Sequence, residues 1–145
     1  MDQRGSSLIS VIDASVTLSW IYTDEHSAAS DALLARVADR GAVVPQLWRL
    51  EIASALQNGI KRKRIEAAYR DSAIQKLLRL PIETDPDTND YAWTTTLQLA
   101  EIHQITIYDA SYLELAIRRG LPLATRDDQL AAAAASAGAI LLPTR

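Results

Sequence analysis

An α/β fold of three layers, with a central, mostly parallel sheet of about five short strands between helices, is what this sequence predicts. Three observations point to it. Apolar runs of four or five residues alternate with amphipathic segments of helical period along the 145 residues. Gly or Pro marks several junctions, at Gly41, Pro45, Gly59, Pro81 and Gly120. No stretch is long enough to be a linker, so a single domain over residues 1–145 is expected, with residues 1–7 as a flexible N-terminal tail. Strands alternating with helices require crossover connections, which cover a parallel sheet on both faces.

The first strand is the apolar run 8–12, which ends at Asp13. A helix follows over about 15–22 and a second over about 24–39, where Gly41 ends it. AVVP (42–45) is the next strand. PQLWRLEIASALQNG then gives a helix with Pro45 near its start, apolar positions Leu47, Leu50, Ala53 and Leu56, and Gly59 as its stop. Another helix, over about 66–80, carries Ile74, Leu77 and Leu78 on one face. PIET (81–84) reads as an edge strand, because Pro81 is tolerated only there or at a strand start. Thr88 is the expected N-cap of a helix bearing Trp93, Leu97, Ala100 and Ile102. The remaining elements are a strand ITIY (105–108), a helix to Arg119 stopped by Gly120, a strand PLAT (122–125), an Ala-rich helix from about Asp127, and a last strand AILL (139–142).

Composition narrows the chemistry. There is no cysteine, which excludes a disulfide framework and a thiolate metal site, and two histidines are too few for a His-rich one. Any metal must be held mainly by oxygen. The first apolar run breaks at Asp13, too soon for a secretory segment, and AAAAASAGAILLP is well short of the roughly 20 residues that span a bilayer. A soluble, cytoplasmic protein with no membrane contact is expected. With 15 basic and 18 acidic residues, the net charge of -3 argues against nucleic-acid binding by bulk charge alone. A local basic patch is compatible with it.

Open α/β sheets bind ligands beyond the C-terminal ends of their strands. Three acids are expected at such ends: Asp13 after SLISVI, Asp109 after ITIY and Asp127 after PLATR. Each also suits a helix N-cap, where Asp satisfies free N–H groups and complements the helix dipole. Asp109 has Tyr112 and Leu113 three and four residues on, which turns it toward the apolar face; Asp127 has Leu130 and Ala131 at the same spacings. Capping does not account for Glu51, inside LWRLEIASAL and in line with Leu47, Ser54 and Ala55. Either an arginine such as Arg49 or Arg126 pairs with it, or the four acids share a cation. A divalent ion would remove the repulsion of like charges, and oxygen donors favour magnesium, or manganese, over zinc. Such an ion suits phosphate-ester chemistry.

Over about residues 8–142, these segments resemble the PIN-domain ribonucleases, and within them the VapC-type toxins of bacterial and archaeal toxin–antitoxin pairs. VIDASV is similar to the family's first strand with its acid and following hydroxyl, Asp13 and Ser15. PQLWRLEIASAL resembles the helix that carries the family's glutamate, here Glu51. TIYDASYLELA and PLATRDDQLAAAA resemble the segments of its third and fourth acids, Asp109 and Asp127, with Thr125 as the neighbouring hydroxyl. Spacing from Thr125 favours Asp127 as the fourth acid over Asp128, which also suits first-turn dipole chemistry.

The resemblance implies a PIN-like fold and a magnesium-dependent endoribonuclease. Asp13, Glu51, Asp109 and Asp127 would hold the metal, and a metal-activated water would hydrolyse the RNA phosphodiester. Ser15 and Thr125, with Asp128 beside them, would orient those ligands or their waters from behind. The resemblance also implies an RNA substrate with single-stranded features in a tRNA, rRNA or mRNA, a cognate antitoxin lying across the groove, and a homodimer.

Lys61, Arg62, Lys63 and Arg64 form a basic run that either meets RNA phosphates or is a solvated loop. Arg126, together with Arg118 and Arg119, lies nearer the crevice in sequence, although the last two also suit the C-terminal dipole of their helix. Trp20, Trp48 and Trp93 read as core or interface aromatics, and the helix bearing Trp48 is the expected apolar wall for a partner. No G-x-G-x-x-G follows the first strand, which argues against dinucleotide binding, and no lysine ends either late strand, as a phosphoacceptor receiver would need. The rival reading within the same fold is a catalytically silent PIN scaffold, a protein or RNA interaction module. Its expected mark is the loss of one or more acids, and all four are present.

Overall fold

The computed structural model describes residues 9–145. The expected tail 1–7 and Leu8 of the first strand lie outside the described residues. Four strands, β1 (Ser10–Ile12), β2 (Ala42–Val44), β3 (Ile82–Thr84) and β4 (Leu123–Ala124), form one sheet in the order β3-β2-β1-β4. Every strand pairing is parallel. Val11, Ile12, Val43, Val44, Leu123 and Ala124 are buried on both sides of the sheet, which is why these runs are continuously apolar rather than alternating.

Around it lie α1 (Ala14–Ile21), α2 (Ala28–Arg40), α3 (Trp48–Lys61), α4 (Ala67–Leu78), α5 (Thr95–His103), α6 (Ile107–Arg119) and α7 (Asp128–Ser136). The chain steps from β1 to β2 to β3, then returns past β1 to β4. Because parallel crossovers keep one hand, this reversal carries the later helices to the opposite face. Accordingly α1 packs on α2 and α3, whereas α6 packs on α5, α7, β1 and β4. The result is the expected three-layer α/β/α arrangement, with Pro81 at the start of an edge strand as anticipated.

Among the described residues the strands number four rather than about five. Residues 139–142 contribute a single parallel bridge, Leu141 to Leu123, because β4 is only two residues long and offers no further ladder. The expected strand 105–108 is not a strand. Gln104 ends α5 in the left-handed region, the Ile105 N–H returns to the Ala100 carbonyl, and Thr106 caps α6 by accepting the Asp109 N–H at 3.0 Å. Ile107 and Tyr108 are exposed, so half of this apolar run lacks the burial of a central strand. Asp109 therefore stands in the first turn of α6, not at a strand end.

Other boundaries shift for local reasons. Ser27 and Ser30 form a reciprocal capping box, so α2 begins at Ala28 rather than Asp24, and Thr23–Glu25 is a separate 3-10 turn. Thr88 opens a 3-10 turn, Thr88–Tyr91, with its hydroxyl donated to Asp85 at 3.2 Å; α5 starts only at Thr95, leaving Trp93 before it and 90% exposed. Gly59 is no helix stop: α3 runs on to Lys61, and a Cβ at Gly59 would overlap the Tyr22 hydroxyl. The buried face of α3 is Trp48, Ile52, Leu56 and Gly59, while Leu50 is 75% exposed. Trp48 thus faces the core and donates its indole N–H to the Thr17 hydroxyl at 3.1 Å, and it is Leu50 that this helix exposes.

A buried ion network joins the segment after β3 to α6. Arg118 donates to Glu114 at 2.6 and 3.1 Å and to Asp85 at 2.7 and 3.3 Å, and it stacks on the Tyr91 ring at 4.6 Å. Arg119 reaches Glu83 at 3.2 Å. Both arginines, placed near the crevice by sequence, serve this network instead. Burial alone would raise the Asp85 carboxyl, but the Arg118 guanidinium outweighs it and holds Asp85 below the ordinary value. Arg118→Met would leave Glu114 buried without a cation and Asp85 with Arg119 alone, at 3.7 Å, and is expected to cost about 3 kcal/mol in urea unfolding. Asp85 stabilises the fold above its unfolded pKa of 3.8, and that contribution is lost as pH falls through its lower folded value.

Candidate active site

The reversal around β1 leaves a crevice beyond the C-terminal ends of β1 and β4, the position where open sheets take ligands. Asp13 lies there, 4% exposed. Its Oδ1 accepts the Val16 N–H at 3.0 Å, capping α1, and the Ser15 hydroxyl at 2.6 Å. Its Oδ2 accepts the hydroxyl of Thr125, just past β4. Thr125 Oγ1 in turn accepts the Asp127 N–H at 3.0 Å, and Ser15 Oγ accepts the Arg126 N–H at 2.8 Å. One carboxylate and two hydroxyls thereby join two strand ends to two helix starts. Asp127 caps α7 by accepting the Leu130 N–H at 2.9 Å.

Glu51 and Asp109 each occupy the first turn of their helices, α3 and α6. Because α3 starts at Trp48 and not near Pro45, Glu51 sits at a helix N-terminus, where the dipole favours a carboxylate. All four acids therefore stand at helix N-termini. Glu51 is half-buried and accepts the Tyr112 hydroxyl at 2.5 Å. Among the described residues no lysine or arginine pairs with it: Arg49 is exposed, and Arg126 donates to the Glu25 carbonyl at 2.6 Å. This removes the salt-bridge alternative. Sequence reading gives Tyr112 only to the apolar face; its place one turn after Asp109 was the available signal for more.

Burial pushes the Asp109 carboxyl up to about 6, and the negative charges of Asp127, Asp13 and Glu51 add to the effect. Burial likewise raises Asp13 against its hydrogen bonds from Ser15, Thr125 and the Val16 N–H, with Asp127 adding repulsion. Burial also raises Glu51 against its bond from Tyr112, with Asp13 adding to it. The four acids thus form one electrostatic group. Asp128 stands apart from it, exposed and paired with Arg145 at 3.4 Å.

Among the described residues, no three such side chains are disposed to grip one ion as they stand. As they stand, Asp13 has both oxygens hydrogen-bonded, and Glu51 and Asp127 one each. The donor chemistry nevertheless fits a hard divalent cation. Every donor is oxygen, Glu51 and Asp127 each keep a second oxygen, and a cation would relieve the crowding that raises Asp109.

The basic run 61–64 lies at the far end of α3, about 15 Å along its axis from Glu51. Arg64 there is spent on Asp24 at 3.0 Å and on the Tyr22 ring at 3.9 Å. After α7 the chain returns to the crevice. The Thr144 hydroxyl donates to the Thr125 carbonyl at 3.1 Å, and the Arg145 guanidinium donates to the Arg126 carbonyl at 3.0 Å.

The fold is shared with known proteins. The chain belongs to the PIN domain family, which it matches over residues 10–136. Within that family its kinship is with the VapC type: it is 33% identical over 135 residues to Ribonuclease VapC3 of Mycobacterium tuberculosis, covering 90% of each chain. PAE2754 from Pyrobaculum aerophilum shares the fold at a TM-score of 0.67 and 25% identity, with 92% of this chain and 90% of that one aligned. VapBC2 from Rickettsia felis, solved with a DNA fragment from its promoter, does so at 0.62 and 16% identity, over 92% and 97% of the chains.

The raised carboxyls set a pH dependence. Between about pH 6 and the ordinary value of 3.8, folded Asp109 holds a proton that the unfolded chain does not. Metal-free stability is therefore expected to increase as pH falls from about 7 toward 4. Melts in EDTA should give a higher midpoint at about pH 5.5 than at about pH 7.5, with Asp109→Asn flattening much of the difference. A slope unchanged in that variant would separate Asp109 from the group.

Proposed function

We propose that this chain is a divalent-metal-dependent endoribonuclease, the toxin of a type II toxin–antitoxin pair. The observation that carries the reading is the gathering of Asp13, Glu51, Asp109 and Asp127, with Asp109 raised to about 6 by burial and by the other three. The likeness to a protein named a ribonuclease, over 90% of both chains, supports it.

On this reading Glu51, Asp109 and Asp127, with Asp13, hold magnesium or manganese. The ion supplies Lewis acidity toward the phosphodiester and toward water. The chain's own residues do the rest. Ser15 and Thr125 hold the Asp13 carboxylate in one rotamer, and the Tyr112 hydroxyl holds Glu51. Asp109, protonated below about pH 6, must release that proton from its carboxyl as the cation enters. The substrate is RNA with an unstacked stretch in a tRNA, rRNA or mRNA. The exposed Leu50, next to Glu51, and Trp93 are apolar surface for protein partners, a cognate antitoxin and a second copy of the chain. No helix among the described residues is long and apolar enough to cross a membrane, and a cytoplasmic setting belongs to the same reading.

Purified protein is expected to cut single-stranded RNA with magnesium or manganese and to stop in EDTA; a scaffold would cut nothing under either condition. Asp109→Asn is the cleanest variant, because it removes a charge and no described cap, and it should abolish cleavage with the fold kept. Asp13→Asn is less clean, since its amide would leave the Thr125 hydroxyl without its acceptor. Tyr112→Phe should weaken metal affinity about 10–100-fold, read by calorimetry with manganese. Glu51→Gln should shrink the magnesium-induced rise in melting midpoint without loss of stability in EDTA. An equal magnesium shift in parent and variant would take Glu51 out of the metal site.

A further inference from the structure

A small cavity opens at the starts of α3 and α6, at the end of α3 away from the basic run. It has a volume of about 180 Å³ and lies between the start of α3, the Thr88–Tyr91 turn and the first turn of α6. Leu47, which accepts the Glu51 N–H at 3.0 Å, lines it, as does Tyr108, the residue before Asp109. Its walls therefore belong to the same two helix starts that carry Glu51 and Asp109.

The lining is mixed in a specific way. Ile107 and Leu47 are apolar, and Tyr108 is 64% exposed. Gln46 and Asn89, both exposed, bring side-chain amides that each offer a donor and an acceptor. Thr96 is 2% exposed, and its hydroxyl is the one buried side-chain polar atom among the described residues that has no hydrogen-bond partner. Native structures rarely leave such a group unsatisfied, and this one is shielded as it stands, so it meets the cavity that Thr96 lines only by turning. One χ1 rotation exchanges the Thr96 hydroxyl with its methyl group.

We propose that this cavity is a nucleobase subsite, which takes one unstacked base of the RNA next to the phosphodiester that is cut. The inference rests on the ribonuclease reading above. The volume suits a single planar heterocycle, not a whole nucleotide. An apolar floor, an exposed aromatic ring and a few amide and hydroxyl groups are what reads an unstacked base, by stacking on its face and hydrogen bonding at its edge. The subsite supplies sequence preference and the acids supply chemistry, so the two functions separate by residue.

The test uses the full chain and a pool of random-sequence single-stranded RNA, with the cut ends sequenced. Thr96→Val keeps the shape and removes the orphan hydroxyl, and Ala92→Leu fills the cavity. The parent is expected to prefer one base at one position beside the cut. Thr96→Val should melt no lower than the parent yet show that preference weakened several-fold, and Ala92→Leu should abolish it, while total cleavage of the pool persists. Tyr108→Ala should raise KM more than it lowers kcat. Cleavage by the parent with the same base preference in every variant would overturn the subsite and leave the ribonuclease reading standing. No cleavage of RNA by the parent would overturn both. Loss of binding to an inhibitory protein partner with base preference unchanged would assign the cavity to that partner and overturn the proposal.

Discussion

The buried carboxylate of Asp13 is the interaction on which this edge of the sheet depends. A charge at that depth is tolerated only if its oxygens are hydrogen-bonded. The donors come from Ser15, Val16 and Thr125, so satisfying one side chain fixes the start of α1 against the end of β4. Thr125 and Ser15 pass the constraint on by accepting the Asp127 and Arg126 amides, which sets the start of α7. The crevice follows from this joint. Four helix N-termini then carry four acids toward it, and the positive ends of the helix dipoles offset part of the repulsion that remains.

Helix α6 shows how the repulsion is contained. Its first turn holds Asp109, its second Tyr112, and its later turns Glu114 and Arg118. The last two are clamped to Asp85 in a network in which charges are paired and buried. The N-terminal half of the helix thus carries uncompensated charge, and the C-terminal half carries compensated charge. Packing of Leu113, Leu115 and Ala116 against the sheet connects the halves, so the stable end restrains the crowded one.

What could be read from the sequence was what local chemistry determines. Asp13, Ser15, Thr125 and Asp127 were legible because strand ends, caps and hydroxyls two residues away are short-range patterns. The parallel sheet and its layering were legible because buried strands are continuously apolar. ITIY was misleading, since a four-residue apolar run has no period that separates a strand from a connection into a helix, and the left-handed Gln104 that decides it has no side-chain signature. The face of α3 was misread because two apolar stripes compete along it, and the one that packs, Trp48, Ile52 and Leu56, leaves Leu50 outward. Gly59 looked like punctuation but answers to Tyr22, far away in sequence. Tyr112 and Thr96 matter through partners, or the want of one, that only the folded chain reveals.

The segment that returns from α7 has a practical meaning. Thr144 and Arg145 are hydrogen-bonded to the carbonyls of Thr125 and Arg126, so the chain's last residues lie along the loop that presents Asp127. Whatever is joined after Arg145 begins beside the acids. A histidine-rich purification handle attached there would set strong ligands for divalent metals next to the carboxylate group. Metal titrations and activity measured on such a fusion would report the handle as much as the protein.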